Sequence, residues 1–177
     1  MKILKRLLLG IAALIAVVLI TALFVKKSYS LTKEVTINRP VQEVFDYIRM
    51  NKHQPDFNAW SKLDPATKNE FKGTDGEVGS VWAWNSEPNG QGEQTITAIT
   101  PNKEIDYKIH FITPMDGEAI NIVKFEAIDE NHTKVINDFS SSMPYPFNFM
   151  CLFMSMDEMI GSKMQEGLNN IKTNLEK

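Results

Sequence analysis

Leu7 to Val25 is a run of 19 residues without a charge, broken only by Gly10 and Thr21. Such a run has no polar face to turn to water, which argues against a helix packed on the surface of a soluble core. As a helix it would be about 28 Å long at ~1.5 Å per residue, close to the hydrocarbon thickness of a bilayer. A helix also pairs its own backbone groups, as lipid demands. A cleaved signal peptide competes with this anchor reading, but it would have a shorter apolar core and a small-x-small cleavage site. Here Ile20-Thr21-Ala22 is a weak site followed by more apolar residues. Lys2, Lys5 and Arg6 precede the run, and Lys26 and Lys27 follow it. The positive-inside bias of three against two places the N-terminus in the cytoplasm and the rest of the chain outside it.

The expected division is therefore an anchor over residues 1–27 and one domain over 28–177, joined by a very short linker at Lys26–Ser30. The anchor segment holds five of the 19 basic residues and no acid, so 14 basic residues face all 22 acidic ones in the domain, a net charge of −8. An acidic domain is a poor partner for a phosphate backbone, so nucleic acid is not an expected partner. Cys151 is the only cysteine. It excludes an intramolecular disulfide and a cysteine-ligated zinc cluster.

Leu31–Ile37 alternates polar and β-branched residues and reads as a strand. Asn38-Arg39-Pro40 then breaks it. Asn38 is expected to cap a short helix over Val41–Arg49, whose Val41, Val44, Phe45 and Ile48 fall at helical spacing. Asn51–Ser61 reads as a second short helical or irregular segment. Six strand-like runs follow, separated by polar turns: Lys68–Lys72, Ser80–Asn85, Gly92–Thr100, Glu104–Ile112, Glu118–Ile128 and Thr133–Ser141. Short strands so closely spaced indicate an antiparallel meander. Beyond Pro144 and Pro146 the stretch Phe147–Lys177 has no proline, and its apolar residues recur at three- and four-residue steps. It is expected to be one long helix, with Gly161 and Gly167 permitting close packing.

This order comes with the stretch Ile37-Asn38-Arg39-Pro40-Val41-Gln42-Glu43-Val44-Phe45-Asp46-Tyr47-Ile48. Pro55, Trp60 and the segment Gly161–Lys172 accompany it. Together these features resemble the SRPBCC superfamily, the helix-grip fold of START domains, birch-pollen allergens and polyketide cyclase/dehydrase-like proteins. The resemblance covers about residues 30–177. It implies an α+β fold in which a curved antiparallel sheet of about seven strands wraps a long C-terminal helix, with two short helices after strand 1 and a cavity between sheet and helix. Members bind lipids, hormones, polyketides or other apolar molecules, and a minority are enzymes. The N-terminal anchor departs from the better-known members. No motif here matches a catalytic constellation of the superfamily, so no catalytic residue is carried over.

Candidate ligand-binding residues follow from strand alternation and from the C-terminal apolar face. Trp82 and Trp84 share one strand face, as do Tyr107, Ile109 and Phe111, and Asn137 and Phe139. Asp106, Lys108 and His110 fall on the opposite, solvated face, and Asp138 is expected to point outward. Phe153, Met156 and Met164 represent the helix, within a methionine-rich stretch that also holds Met143, Met150, Met154 and Met159. Flexible thioethers suit either a deformable pocket wall or an ordinary core. Cys151 is expected to be a buried thiol. His53, His110 and His132 are isolated in sequence, so neither a metal site nor a cofactor is expected.

The leading expectation is a membrane-anchored, non-enzymatic binding module for a hydrophobic or amphipathic small molecule or lipid. The alternative is a cyclase/dehydrase-type enzyme with a cavity carboxylate or histidine as acid/base. A third reading is a tethered interaction protein with a closed cavity.

Overall fold

A computed structural model describes residues 2–177. Helix α1 spans Lys2–Phe24 and is long and apolar enough to cross a membrane. Along it only Ala22 is buried against the rest of the protein. Strand β1 begins at Ser28 and ends at Ile37, so the join is Val25–Lys27, shorter than the expected linker.

Helix α2 (Val41–Arg49) buries Val44, Phe45 and Ile48. Its N-cap is Pro40, whose carbonyl accepts from the Glu43 and Val44 amides at 3.1 and 3.2 Å. The expected cap Asn38 lies two residues too early to reach those amides. Its own N–H donates to Glu176 Oε1 at 2.6 Å instead, which ties the C-terminus to the end of β1. A 3₁₀ turn at Asn51–His53 leads into helices α3 (Gln54–Phe57) and α4 (Ala59–Leu63). The side chain of Asn58 caps α4, accepting from Trp60 N at 3.0 Å and Ser61 N at 3.3 Å.

Strands β2 (Lys68–Lys72), β3 (Val81–Ser86), β4 (Gly90–Thr100), β5 (Glu104–Thr113), β6 (Gly117–Asp129) and β7 (His132–Ser142) follow. They form one antiparallel seven-stranded sheet with β1, in the order β1-β7-β6-β5-β4-β3-β2. The alternation read from the sequence holds: Val135, Asn137 and Phe139 face inward. Asp138 faces outward, where it accepts from Thr32 Oγ1 at 2.6 Å and Lys124 Nζ at 2.7 Å. The Lys124 bond first, and that from Thr32 second, hold its carboxyl below the usual carboxylate range.

The expected single helix from Phe147 is a correction. Only Ser162–Leu175 is a regular α-helix, α5. Phe147–Leu152 is 3₁₀, the chain breaks over residues 153–156, and Asp157–Gly161 is a π turn. Phe147 and Leu152 before the break, Phe153 within it and Met159 after it are all exposed, so the apolar spacing here does not mark a core-facing helix. Ser155 Oγ restarts the helical path by accepting from Glu158 N at 3.2 Å. Gly161 then brings the π turn onto β1. A Cβ there would come within 2.8 Å of Lys33 Cε, and Lys33 Nζ pairs with Asp157 at 2.8 Å.

The inner face of the sheet meets α5 in two clusters. At the end remote from α1, Ile37, Val44, Phe45, Ile96, Ile105, Phe125, Val135, Leu168 and Ile171 pack together. Nearer α1 the cluster is Ile109, Ala119, Phe139 and Met164, with Tyr29, Leu31, Trp84, Phe111 and Ile160 partly buried against it.

Candidate ligand cavity

Between the second cluster and α5 the layers do not close. A cavity of about 320 Å³ remains, within the range of small-molecule sites. Its floor is the inner face of β3–β7, its roof is Ile160 of the π turn and α5 up to Ile171, and one side is formed by α3 and α4.

The aromatic wall comes from β3 and β5. Trp82 and Trp84 stand with ring centroids 5.0 Å apart, and Phe111 meets Trp84 edge-on at 6.3 Å. Trp82 donates its indole N–H to Asn69 Oδ1 at 2.8 Å, which fixes its orientation. Trp84 lies across Gly92 on the neighbouring strand. A Cβ at Gly92 would sit 2.4 Å from Trp84 Cζ2 and 2.8 Å from the His110 carbonyl oxygen, so only glycine leaves room for the indole. Tyr107 is fully buried and donates to the Ile48 carbonyl at 3.3 Å. Burial, with the Asp75 charge second, pushes its pKa well above the usual phenol range, so it stays neutral.

Three amides set this cavity apart from an ordinary core. Gln94 Nε2, Asn121 Oδ1 and Asn137 Oδ1 are buried without a hydrogen-bond partner, and all three residues are on the wall. Asn137 opposes Val123 and Asn121 opposes Phe139, so the two asparagines are diagonal neighbours on adjacent strands. Gln94 opposes Ile109, two strands from Asn121. Leaving such a group unpaired costs about 1–3 kcal/mol, so three in one space form a standing demand for hydrogen-bonding atoms.

The charged content of the wall is small. Lys163 is its one ionic side chain, and its Nζ pairs with Glu166 at 2.7 Å. At the mouth, Ser86 Oγ donates to Asp64 at 2.7 Å and accepts from Asn89 N at 3.2 Å. The Ser86 bond holds the Asp64 carboxyl below the usual carboxylate range. Among the described residues, no group of three His, Cys, Asp or Glu side chains is placed to hold a metal ion.

Of the ten residues picked from the sequence, Trp82, Trp84, Tyr107, Ile109, Phe111, Asn137, Phe139 and Met164 line the cavity. Phe153 and Met156 do not. They precede the regular helix, and Phe153 is 76% exposed. Likewise Met150 and Met159 are exposed, and Cys151 is half-buried rather than enclosed. The sequence reading missed Gln94 and Asn121. Alternation counted back from Ile96 and from Val123-Lys124-Phe125 places both on the inner face.

The fold is shared with solved structures of low sequence identity. Truncated norcoclaurine synthase from Thalictrum flavum superposes with a TM-score of 0.65 at 11% identity, over 85% of this chain and 94% of that one. The structure of Ara h 8.0201 gives 0.58 at 19% identity, over 84% and 97%. An uncharacterized protein from Rhizobium leguminosarum gives 0.62 at 15%, over 85% and 95%. No curated protein matches the chain in sequence. Residues 28–176, by contrast, match one family profile along their whole length. The expected helix-grip fold is thus the observed one, and the chain belongs to the family described as polyketide cyclase / dehydrase and lipid transport.

Proposed function

We propose that residues 28–177 bind an uncharged amphipathic molecule inside the sheet–helix cavity, and that residues 1–27 anchor this module to a membrane as a single-pass span with the domain on the extracytoplasmic side. The carrying observation is the set of three unpartnered amides within an aromatic and aliphatic wall. Apolar area removed from water, at about 25 cal/mol per Å², supplies affinity. The amides of Gln94, Asn121 and Asn137 orient a neutral polar group such as a hydroxyl, which can donate and accept at once. A charged group would find only Lys163, already paired at the rim.

The cyclase/dehydrase alternative requires a carboxylate or imidazole facing the substrate. The titratable side chains on the wall are Tyr29, Tyr107 and Lys163. Tyr107 is held neutral and Lys163 is held by Glu166. This set favours retention of a ligand over proton transfer to it. The open volume speaks against the tethered scaffold with a closed cavity.

The test is mass spectrometry of small molecules extracted from the full chain, purified from its membranes in lipid nanodiscs. Wild type and Met164→Trp, which fills the space under α5, are compared. A neutral amphipathic compound should co-purify with wild type and be depleted in the variant. Identical extracts from the two would overturn the binding reading.

A further inference from the structure

The stretch Phe139–Met156 is 18 residues without a single charge, in a chain that is 23% charged. Its second half surrounds the end of helix α1. Asn148, fully buried, donates its side-chain N–H groups to the carbonyls of Ala22 at 2.7 Å and Val25 at 2.9 Å. Those are carbonyls that a helix C-terminus otherwise leaves without partners. Tyr145 Oη donates to the Leu19 carbonyl at 3.3 Å, and Met143 N donates to the Lys27 carbonyl at 2.7 Å. The segment is thus fastened to the end of α1 and the residue after it, from Leu19 to Val25, a rise of about 9 Å at ~1.5 Å per residue.

From Met143 onward its apolar side chains join neither core cluster of the domain. Tyr145, Phe147, Met150, Leu152 and Phe153 are all exposed, and the Phe149 and Phe153 rings meet at a tilt of 57° with centroids 5.2 Å apart. Monomeric soluble proteins rarely leave so much contiguous apolar surface to water.

We infer that residues 145–153 form a second membrane contact, a 3₁₀ wedge that lies in the lipid interface beside the exit of α1. This rests on the reading of α1 as the anchor. If α1 spans the bilayer up to Val25, a segment bonded to Leu19, Ala22 and Val25 sits at the depth of its last 9 Å or so. That matches the roughly 5–10 Å to which interfacial elements bury. Aromatic residues with one polar tip, as Tyr145 has, are favoured at that level. The wedge adjoins the cavity. Phe139 on the wall lies just before the chain enters this segment, and Tyr29 on the wall pairs with Ser141, two residues before Met143. The lipid interface therefore abuts the hollow end of the sheet, and the occupant of the apolar surface is lipid.

The test uses the full chain in phosphatidylcholine bilayers, spin-labelled at native Cys151, which needs no substitution. In a Cys151→Ser background, Phe153→Cys is the second probe and Lys103→Cys the distant control. Vesicle flotation is scored first. Co-flotation, with both wedge labels several-fold more accessible to oxygen than to a nickel chelate and the Lys103 label showing the reverse, is the expected result. Co-flotation with the wedge labels as open to the chelate as Lys103 overturns the wedge and leaves the anchor standing. Labels shielded from both reagents indicate a protein partner or a second copy and also overturn it. Failure to float removes the anchor and the wedge together.

Discussion

The two ends of the sheet share the same strands and the same helix, yet one is solid and the other hollow. Far from α1, Ile37, Ile96, Ile105 and Val135 are completely buried, and Leu168 and Ile171 of α5 pack against this cluster while closing the inner limit of the cavity. Nearer α1, β4, β6 and β7 present Gln94, Asn121 and Asn137, and β3 adds the indoles of Trp82 and Trp84, opposite Met164 and Ile160. The difference lies in side-chain type. Branched aliphatic residues interdigitate to crystal-like density. Amides and braced aromatic rings do not, because each amide seeks a partner and each ring is held in place, Trp82 by Asn69 and Trp84 over Gly92. Stability is concentrated at one end so that the other can keep unfilled space.

The hardest blow to this contrast is struck at the solid end. Ile105→Ala should cost about 2–5 kcal/mol, as a methyl-deleting change in a collapsed core does. Urea unfolding of the full chain in detergent would measure it, and a cost under 1 kcal/mol, against that range, would contradict the division. Gly92→Val is the next largest. It forces Trp84 off the strand, with a cost of about 1–3 kcal/mol for overpacking. It should also drive the indole into the cavity, giving a shifted tryptophan emission and loss of co-purifying ligand. Unchanged emission would show that the ring does not rest on Gly92.

Smaller in stability but sharper in meaning is the double change Asn121→Leu, Asn137→Leu. Removing unpaired buried amides should leave the unfolding free energy unchanged or raise it by about 1 kcal/mol, while ligand retention falls roughly tenfold. A clear loss of stability would mean that the amides are structural. Smallest of all is the response to acid at Asp138. Its carboxyl titrates below the usual range in the folded protein, so the stability it contributes is complete above the unfolded value of about 3.9. That contribution fades as pH falls through the lower folded value. Asp138→Asn should flatten this acid limb in thermal melts, and an unaltered limb would remove the Lys124–Asp138–Thr32 link from the account.

Much of the sheet was legible because period-two alternation is local. Lys68–Lys72 matches β2 residue for residue, and the other strands differ by one to three residues at their ends. The cavity was legible where side chains were bulky. Two of the three unpaired wall amides, Gln94 and Asn121, carry no such signal: in β6 the apolar Ile120 is 53% exposed while Asn121 faces in. The charged and aromatic residues of Lys124-Phe125-Glu126 carry the correct phase, and it must be counted back from them. The misread helix has a different cause. Three- and four-residue spacing of apolar groups says that a face is apolar, not what covers it, and the uncharged stretch up to Met156 was the overlooked signal.

The joint between Phe24 and Ser28 has one more implication. Its three residues can reach no more than about 11 Å when extended, and they are pinned at both ends by Asn148 and by the Met143 amide. No slack is left for a hinge. The long helix and the sheet edge must turn as a single lever, so tilting the rod swings β1, and with it Tyr29 on the cavity wall.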